Sequence, residues 1–137
     1  MYFQTTYPIH TTGRGTVAIT EQVVAVMRES GIHSGLLNLF VQHTSCSLVI
    51  TENADPAVRQ DLEGLMARLV PDGDPAWHHD TEGPDDMAAH ARSVLTHTSL
   101  TIPFRNGRLL LGSWQGLYLW EHRTAPQTRQ LVISVLG

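Results

Sequence analysis

Eight histidines stand in this chain of 137 residues, and their neighbours decide which of them can do chemistry. His43 sits in Gln42-His43-Thr44-Ser45 and closes an apolar stretch. A lone imidazole at a strand end commonly serves as a hydrogen-bonded structural group, but it can equally ligate a metal or move a proton. His79 is followed by carboxylates in His79-Asp80-Thr81-Glu82, with His78 before it. His90 follows Asp86 by four residues, a spacing that puts both side chains on one face of a helix. A carboxylate so placed can fix the tautomer of a metal-binding imidazole or bind the metal itself. No compact zinc motif such as His-Glu-x-x-His accompanies these residues, so any shared centre must be assembled by the fold.

Charge is unevenly placed around them. Asp72, Asp74, Asp80, Glu82, Asp85 and Asp86 share one stretch with His78, His79 and His90 and with no Arg. Arg105, Arg108, Arg123 and Arg129 share a later stretch in which Glu121 is the lone carboxylate. The pattern reads either as two solvated surfaces or as a loop that binds a cation near Arg groups that bind an anion. Glu52, at a strand end just before Asn53 and the Asp55-Pro56 pair, is a candidate general acid or base. Cys46 lies close to His43 in sequence, but nothing there orients a thiol–imidazole pair. A cysteine inside a strand is expected to pack as a small hydrophobe.

Composition excludes several classes. All nine cationic side chains are Arg, so a Schiff-base lysine and a P-loop lysine are both ruled out. Thirteen carboxylates give a net charge of −4, which argues against nonspecific nucleic-acid binding. A single cysteine supports neither an internal disulfide nor a Cys-rich zinc site. No apolar run approaches the ~18 residues of a membrane span, so no membrane partner and a cytoplasmic location are expected. A hydrophobic content of 42% suits one folded domain over residues 1–137.

The elements that must position these groups follow from pattern. Tyr2 to Ile9 reads as a first strand. Thr20 reads as the cap of a helix over residues 21–27 that Gly31 stops. Residues 35–43 and 47–52 read as strands. Asp55 as N-cap and Pro56 at the first helical position open the clearest helix, with Val58, Leu62, Leu65 and Leu69 as its apolar stripe and Pro71 as its end. An irregular segment from Asp72 to Gly83 leads into a short helix carrying His90. Residues 98–105 and 108–114 read as a hairpin around Asn106-Gly107, the pair suited to a type I′ turn. Residues 116–122 and 129–136 are the last strands, with the relative geometry of Gln115 and Glu121 left open. The class is α+β, a single domain with a largely antiparallel or mixed sheet and a few inserted helices.

Gln42-His43-Thr44-Ser45-Cys46-Ser47-Leu48 and Glu52-Asn53-Ala54-Asp55-Pro56 resemble the YjbQ family, whose members are known as secondary thiamine-phosphate synthases. The likeness continues through His79-Asp80, Glu82-Gly83, Asp85-Asp86-Met87, Ala89-His90, Leu111-Gly112-Ser113-Trp114-Gln115-Gly116 and Glu121-His122-Arg123. It covers essentially the whole chain. Where the family usually has Ala after His-Thr-Ser, this chain has Cys46, which weakens a thiol mechanism further. The resemblance implies a homotrimer with a His-containing pocket near subunit contacts. It points to His43, His79 and His90 as a metal-binding set, with Glu52, Asp86 and Arg123 nearby as catalytic groups. Three imidazoles favour a divalent transition ion, Zn or similar, over Mg or Ca. The implied reaction joins an aminopyrimidine diphosphate to a thiazole phosphate and releases pyrophosphate. Two other readings compete with this small phosphorylated-substrate synthase. One is a metal-dependent hydrolase of a phosphorylated or acylated molecule with Glu52 as base. The other is a noncatalytic ligand- or metal-binding module.

Overall fold

The computed structural model describes all 137 residues. In chain order they form β1 (Tyr2–His10), β2 (Gly15–Ala18), α1 (Thr20–Glu29), β3 (Gly35–Val41), β4 (Cys46–Glu52), α2 (Pro56–Leu69), α3 (Asp86–Leu95), β5 (Ser99–Arg105), β6 (Arg108–Leu109), β7 (Gln115–Glu121) and β8 (Thr128–Leu136). Every strand pairing is antiparallel, and the strands divide into two sheets ordered β1-β8-β3-β5-β6 and β2-β7-β4. The α+β class expected from the strand and helix patterns is therefore the fold observed.

Period-two alternation places one face of each sheet in a common core. Leu131, Ile133 and Val135 of β8 and Leu37, Leu39 and Val41 of β3 come from the large sheet. Leu48 of β4 and Leu117 and Leu119 of β7 come from the small one, and Val23, Val26 and Met27 of α1 complete the same cluster. The small sheet is covered on its other face as well. Tyr118 of β7 meets Arg59 of α2, Trp120 donates to Glu63 of α2, and α3 packs along β4. β7 is therefore buried on both faces after its first residue.

Local chemistry explains most boundaries. Asp55 Oδ1 accepts from Ala57 N at 2.9 Å with Pro56 opening α2, as its sequence signature requires. Asn106 and Gly107 have φ of 53° and 70°, the left-handed pair of a type I′ turn. Three expectations are corrected. Thr20 is the first residue of α1, not its cap, because its hydroxyl accepts from Leu117 N of β7 at 2.9 Å. The second hairpin arm ends at Leu109, since β6 lies at the sheet edge with β5 as its one partner. The apolar stripe on α2 is turned inward only in its first half: Val58 and Leu62 are half-buried, Leu65 and Leu69 are exposed, and Met66 is the helix's buried side chain.

Candidate metal centre

α3 begins at Asp86, and one turn later His90 returns to the same face. His90 Nε2 lies 3.1 Å from Asp86 Oδ2, and His79 Nε2, arriving from the irregular 70–85 segment, lies 2.7 Å from the same oxygen. Glu82 brings Oε2 to 3.1 Å from His79 Nε2. Ligating atoms of His79, Asp86 and His90 all fall within 4.8 Å of one another. Asp86 is buried, whereas both imidazoles keep a solvent-facing edge.

The tautomer of His90 is fixed from behind. Its Nδ1 is 2.9 Å from the carbonyl oxygen of Thr44, an acceptor that requires Nδ1 to carry the hydrogen. In the neutral ring Nε2 then bears the lone pair, and it faces the carboxylate oxygen of Asp86. Two acceptors at this distance require a positive group between or upon them, either a proton or a metal ion. The arrangement fits a metal: two imidazoles, a buried carboxylate and a backbone carbonyl holding one ring in the ligating tautomer.

Protein charges tune the carboxylates. Burial pushes the Asp86 carboxyl up, but hydrogen bonding with His79 and Glu82 and the charges of His90 and Arg123 outweigh it and hold Asp86 below the ordinary carboxylate range. The hydrogen bond to Asp86 raises the His79 imidazole above its ordinary value. Asp85 also loses stability for its charge through burial, yet bonds from Arg123 and the Thr124 amide bring it down to about 2.

Arg123 does not reach outward for a substrate anion. Its Nε donates to Asp85 at 2.9 Å, NH1 to Asp86 Oδ1 at 2.7 Å and NH2 to the Glu82 carbonyl at 2.9 Å. All three nitrogens grip the loop and the start of α3, so Arg123 positions Asp86. Arg14 ties the other end of the same loop through a bidentate pair with Asp72, both contacts at 2.9 Å.

Two candidates lie elsewhere. Glu52 pairs with Gln115, whereas Cys46, the first residue of β4, pairs with Glu121. Six residues of strand, roughly 20 Å, separate the two ends. Glu52 accepts from the Ala54 and Asp55 amides at 3.1 and 2.8 Å and so builds the turn into α2. His43 is not among the clustered groups. Its Nε2 accepts the Gln130 amide at 2.7 Å, and its Nδ1 faces the Arg129 guanidinium at 3.4 Å. The one lone pair of its neutral ring is thus in use, and a cation at Nδ1 would stand against Arg129. Instead of the His43 ring, the carbonyl of the next residue, Thr44, reaches the centre.

Sequence reasoning passed over Asp85 and the structural use of Glu82, although Glu82 stands three residues from His79. It also passed over a buried pair. Glu121 is fully buried and receives Arg129 Nε at 2.8 Å, Arg129 NH2, Thr11 Oγ1 at 2.8 Å and the Arg123 amide at 3.1 Å.

Comparison with known proteins now places the chain. Residues 5–137 match the family model described as UPF0047 protein YjbQ-like. The UPF0047 protein sll1880 of Synechocystis is 50% identical over 94% of this chain and 88% of its own. The UPF0047 protein YjbQ of Escherichia coli O157:H7 is 38% identical over 100% of this chain and 99% of its own. This chain belongs to the YjbQ/UPF0047 family. A conserved hypothetical protein of Thermus thermophilus, TT1486, superposes with a TM-score of 0.87 at 40% identity, covering 96% of this chain and 99% of that one. Hypothetical protein APE1520 of Aeropyrum pernix gives a TM-score of 0.89 at 26% identity over 98% of both chains. The family match runs over residues 5–137, the 70–85 loop and α3 included. As in the sequence, no helix is long and apolar enough to cross a membrane.

Proposed function

We propose that this YjbQ-family protein is a metal-dependent enzyme that acts on a small phosphorylated substrate, with His79, Asp86 and His90 holding one divalent ion. The observation that carries this reading is the facing of His90 Nε2 and Asp86 Oδ2 at 3.1 Å while Nδ1 is committed to Thr44. Two nitrogens and one carboxylate suit Zn or a similar transition ion better than Mg or Ca. Such an ion, when bound, neutralises phosphate charge as a Lewis acid. Around it the chain's own groups hold geometry: Thr44 sets the His90 tautomer, Arg123 fixes Asp86, and Glu82 steadies His79. Family resemblance supplies the specific reaction, union of an aminopyrimidine diphosphate with a thiazole phosphate and release of pyrophosphate. Hydrolysis through Glu52 loses support, because Glu52 lies at the far end of β4.

Resemblance also supplies a homotrimer, and a feature of the large sheet supports self-association. Tyr2, Leu136, Leu36 and Pro103 form one cross-strand row, of which Tyr2, Leu136 and Leu36 are 62%, 45% and 52% exposed. An apolar row of this kind favours burial against another surface.

Metal content decides the first part. Elemental analysis of metal-supplemented protein is expected to give one transition ion per chain, lost in His79→Ala and His90→Ala while circular dichroism stays native. Equal metal in wild type and both variants, or none in wild type, would defeat the assignment. Turnover of the two thiamine precursors, read as pyrophosphate, then tests the reaction.

A further inference from the structure

The Gln42–Ser45 segment carries a second polar constellation, built on His43 and not on the Thr44 carbonyl that meets His90. Two donors point at the one imidazole of His43: the Gln130 amide at Nε2, 2.7 Å away, and Arg129 NH1 at Nδ1, 3.4 Å away. A neutral imidazole has one lone pair, so one of these donors must meet another N–H. Protonating the ring would make both contacts donor-to-donor, and burial together with Arg129 pushes the His43 pKa down. The Gln130 amide is shorter and fixed in β8, so Nε2 takes the lone pair and Nδ1 carries the hydrogen. That hydrogen confronts Arg129 NH1. The remaining nitrogens of Arg129 are already satisfied, Nε and NH2 by Glu121 and NH2 also by the Ser45 carbonyl at 3.1 Å. NH1 is left with no oxygen acceptor.

Beside this pair lies a cavity of about 450 Å³ lined by Phe40 to Ser45 and by Thr98, with His43 in its wall. His43 lines this cavity with Thr44 and Thr98, and Arg129 NH1, outside the lining itself, lies 3.4 Å from the His43 ring; an imidazole N–H beside a guanidinium N–H suits an oxygen anion and not a cation. We propose that His43 and Arg129 form an oxyanion-binding subsite, separate from the His79–Asp86–His90 centre, that takes a phosphate or carboxylate group. An anionic oxygen between Nδ1–H and NH1 turns the donor-to-donor contact into two hydrogen bonds. Glu121 already balances the charge of Arg129, so the subsite binds free anions weakly and gains strength when the anion belongs to a larger molecule.

The subsite does not depend on the metal reading, and chelator-treated protein tests it alone. With ¹⁵N-labelled histidine, the His43 ring is expected to show the Nδ1–H tautomer and to shift saturably with inorganic phosphate or with acetate. Saturation by phosphate assigns a phosphoryl ligand and saturation by acetate a carboxylate; either supports the site. His43→Phe, which lacks the donor, is expected to weaken binding about tenfold or more. No saturable shift with either anion, a shift only in His79 or His90, or unchanged affinity in a folded His43→Phe protein would overturn the proposal. If His43→Phe does not fold, the wild-type ring titration decides by itself.

Discussion

Replacing Glu121 by Ala should remove a large share of the stability of this domain. Glu121 is fully buried and Arg129 is 5% exposed, and their contact joins the end of β7 to the start of β8. Truncation leaves the Arg129 cation in the interior with Ser45 as its one remaining oxygen partner, and also strips Thr11 and the Arg123 amide of an acceptor. Breaking a buried ion pair from one side costs about 3–5 kcal/mol. For 137 residues, an unfolding entropy of about 2.1 cal/mol/K per residue makes each kcal/mol worth about 3.5 °C, so Tm should fall by about 10–17 °C. The assay is urea denaturation of Glu121→Ala, Arg129→Met and the double variant Glu121→Ala/Arg129→Met at one fixed protein concentration. The double variant leaves no uncompensated charge and should lose far less than the sum of the single changes, with a coupling of at least about 2 kcal/mol. A loss below about 1 kcal/mol in Glu121→Ala, or simple additivity, would refute the claim that the pair acts as a unit.

His122 provides a pH test. Burial first, then the charges of Arg92, Arg14 and Arg129, lower its pKa to about 3, so it folds neutral while the unfolded chain binds a proton below about 6.5. Stability from this group is complete above pH 6.5 and is lost as pH falls toward 3, by about 1.4 kcal/mol per pH unit. His122→Gln should flatten that limb by one proton, and an unchanged slope would refute the assignment. Cys46 is fully buried, and burial raises its thiol to about 12. Native protein should therefore resist thiol reagents, and Cys46→Ala should keep its fold and activity at a cost on the order of 1 kcal/mol. Abolished turnover in a folded Cys46→Ala protein would instead restore the thiol as a nucleophile.

Much of the chain's local chemistry was readable where the partners are near in sequence, although the Glu82–His79 contact and the cap of α1 were not. The Asp55-Pro56 start of α2, the Asn106-Gly107 turn and the strand alternation depend on residues within a few positions of one another. The Asp86–His90 face belongs to the same class, since helical periodicity alone aligns residues four apart. Tertiary structure decided the rest. His79 joins Asp86 because Arg123, 37 positions beyond Asp86, clamps the loop that lies between them. The end of a strand offers a metal centre either its side chain or its main chain, and pairing to β8 draws the His43 ring to Gln130 and Arg129. The Thr44 carbonyl is thereby left for His90. Glu121 and Arg129 stand eight apart but lie in different sheets, so no periodicity announces their bond. Sequence pattern determines which groups can share a face; the packing of two sheets and the loop laid across them determines which groups meet.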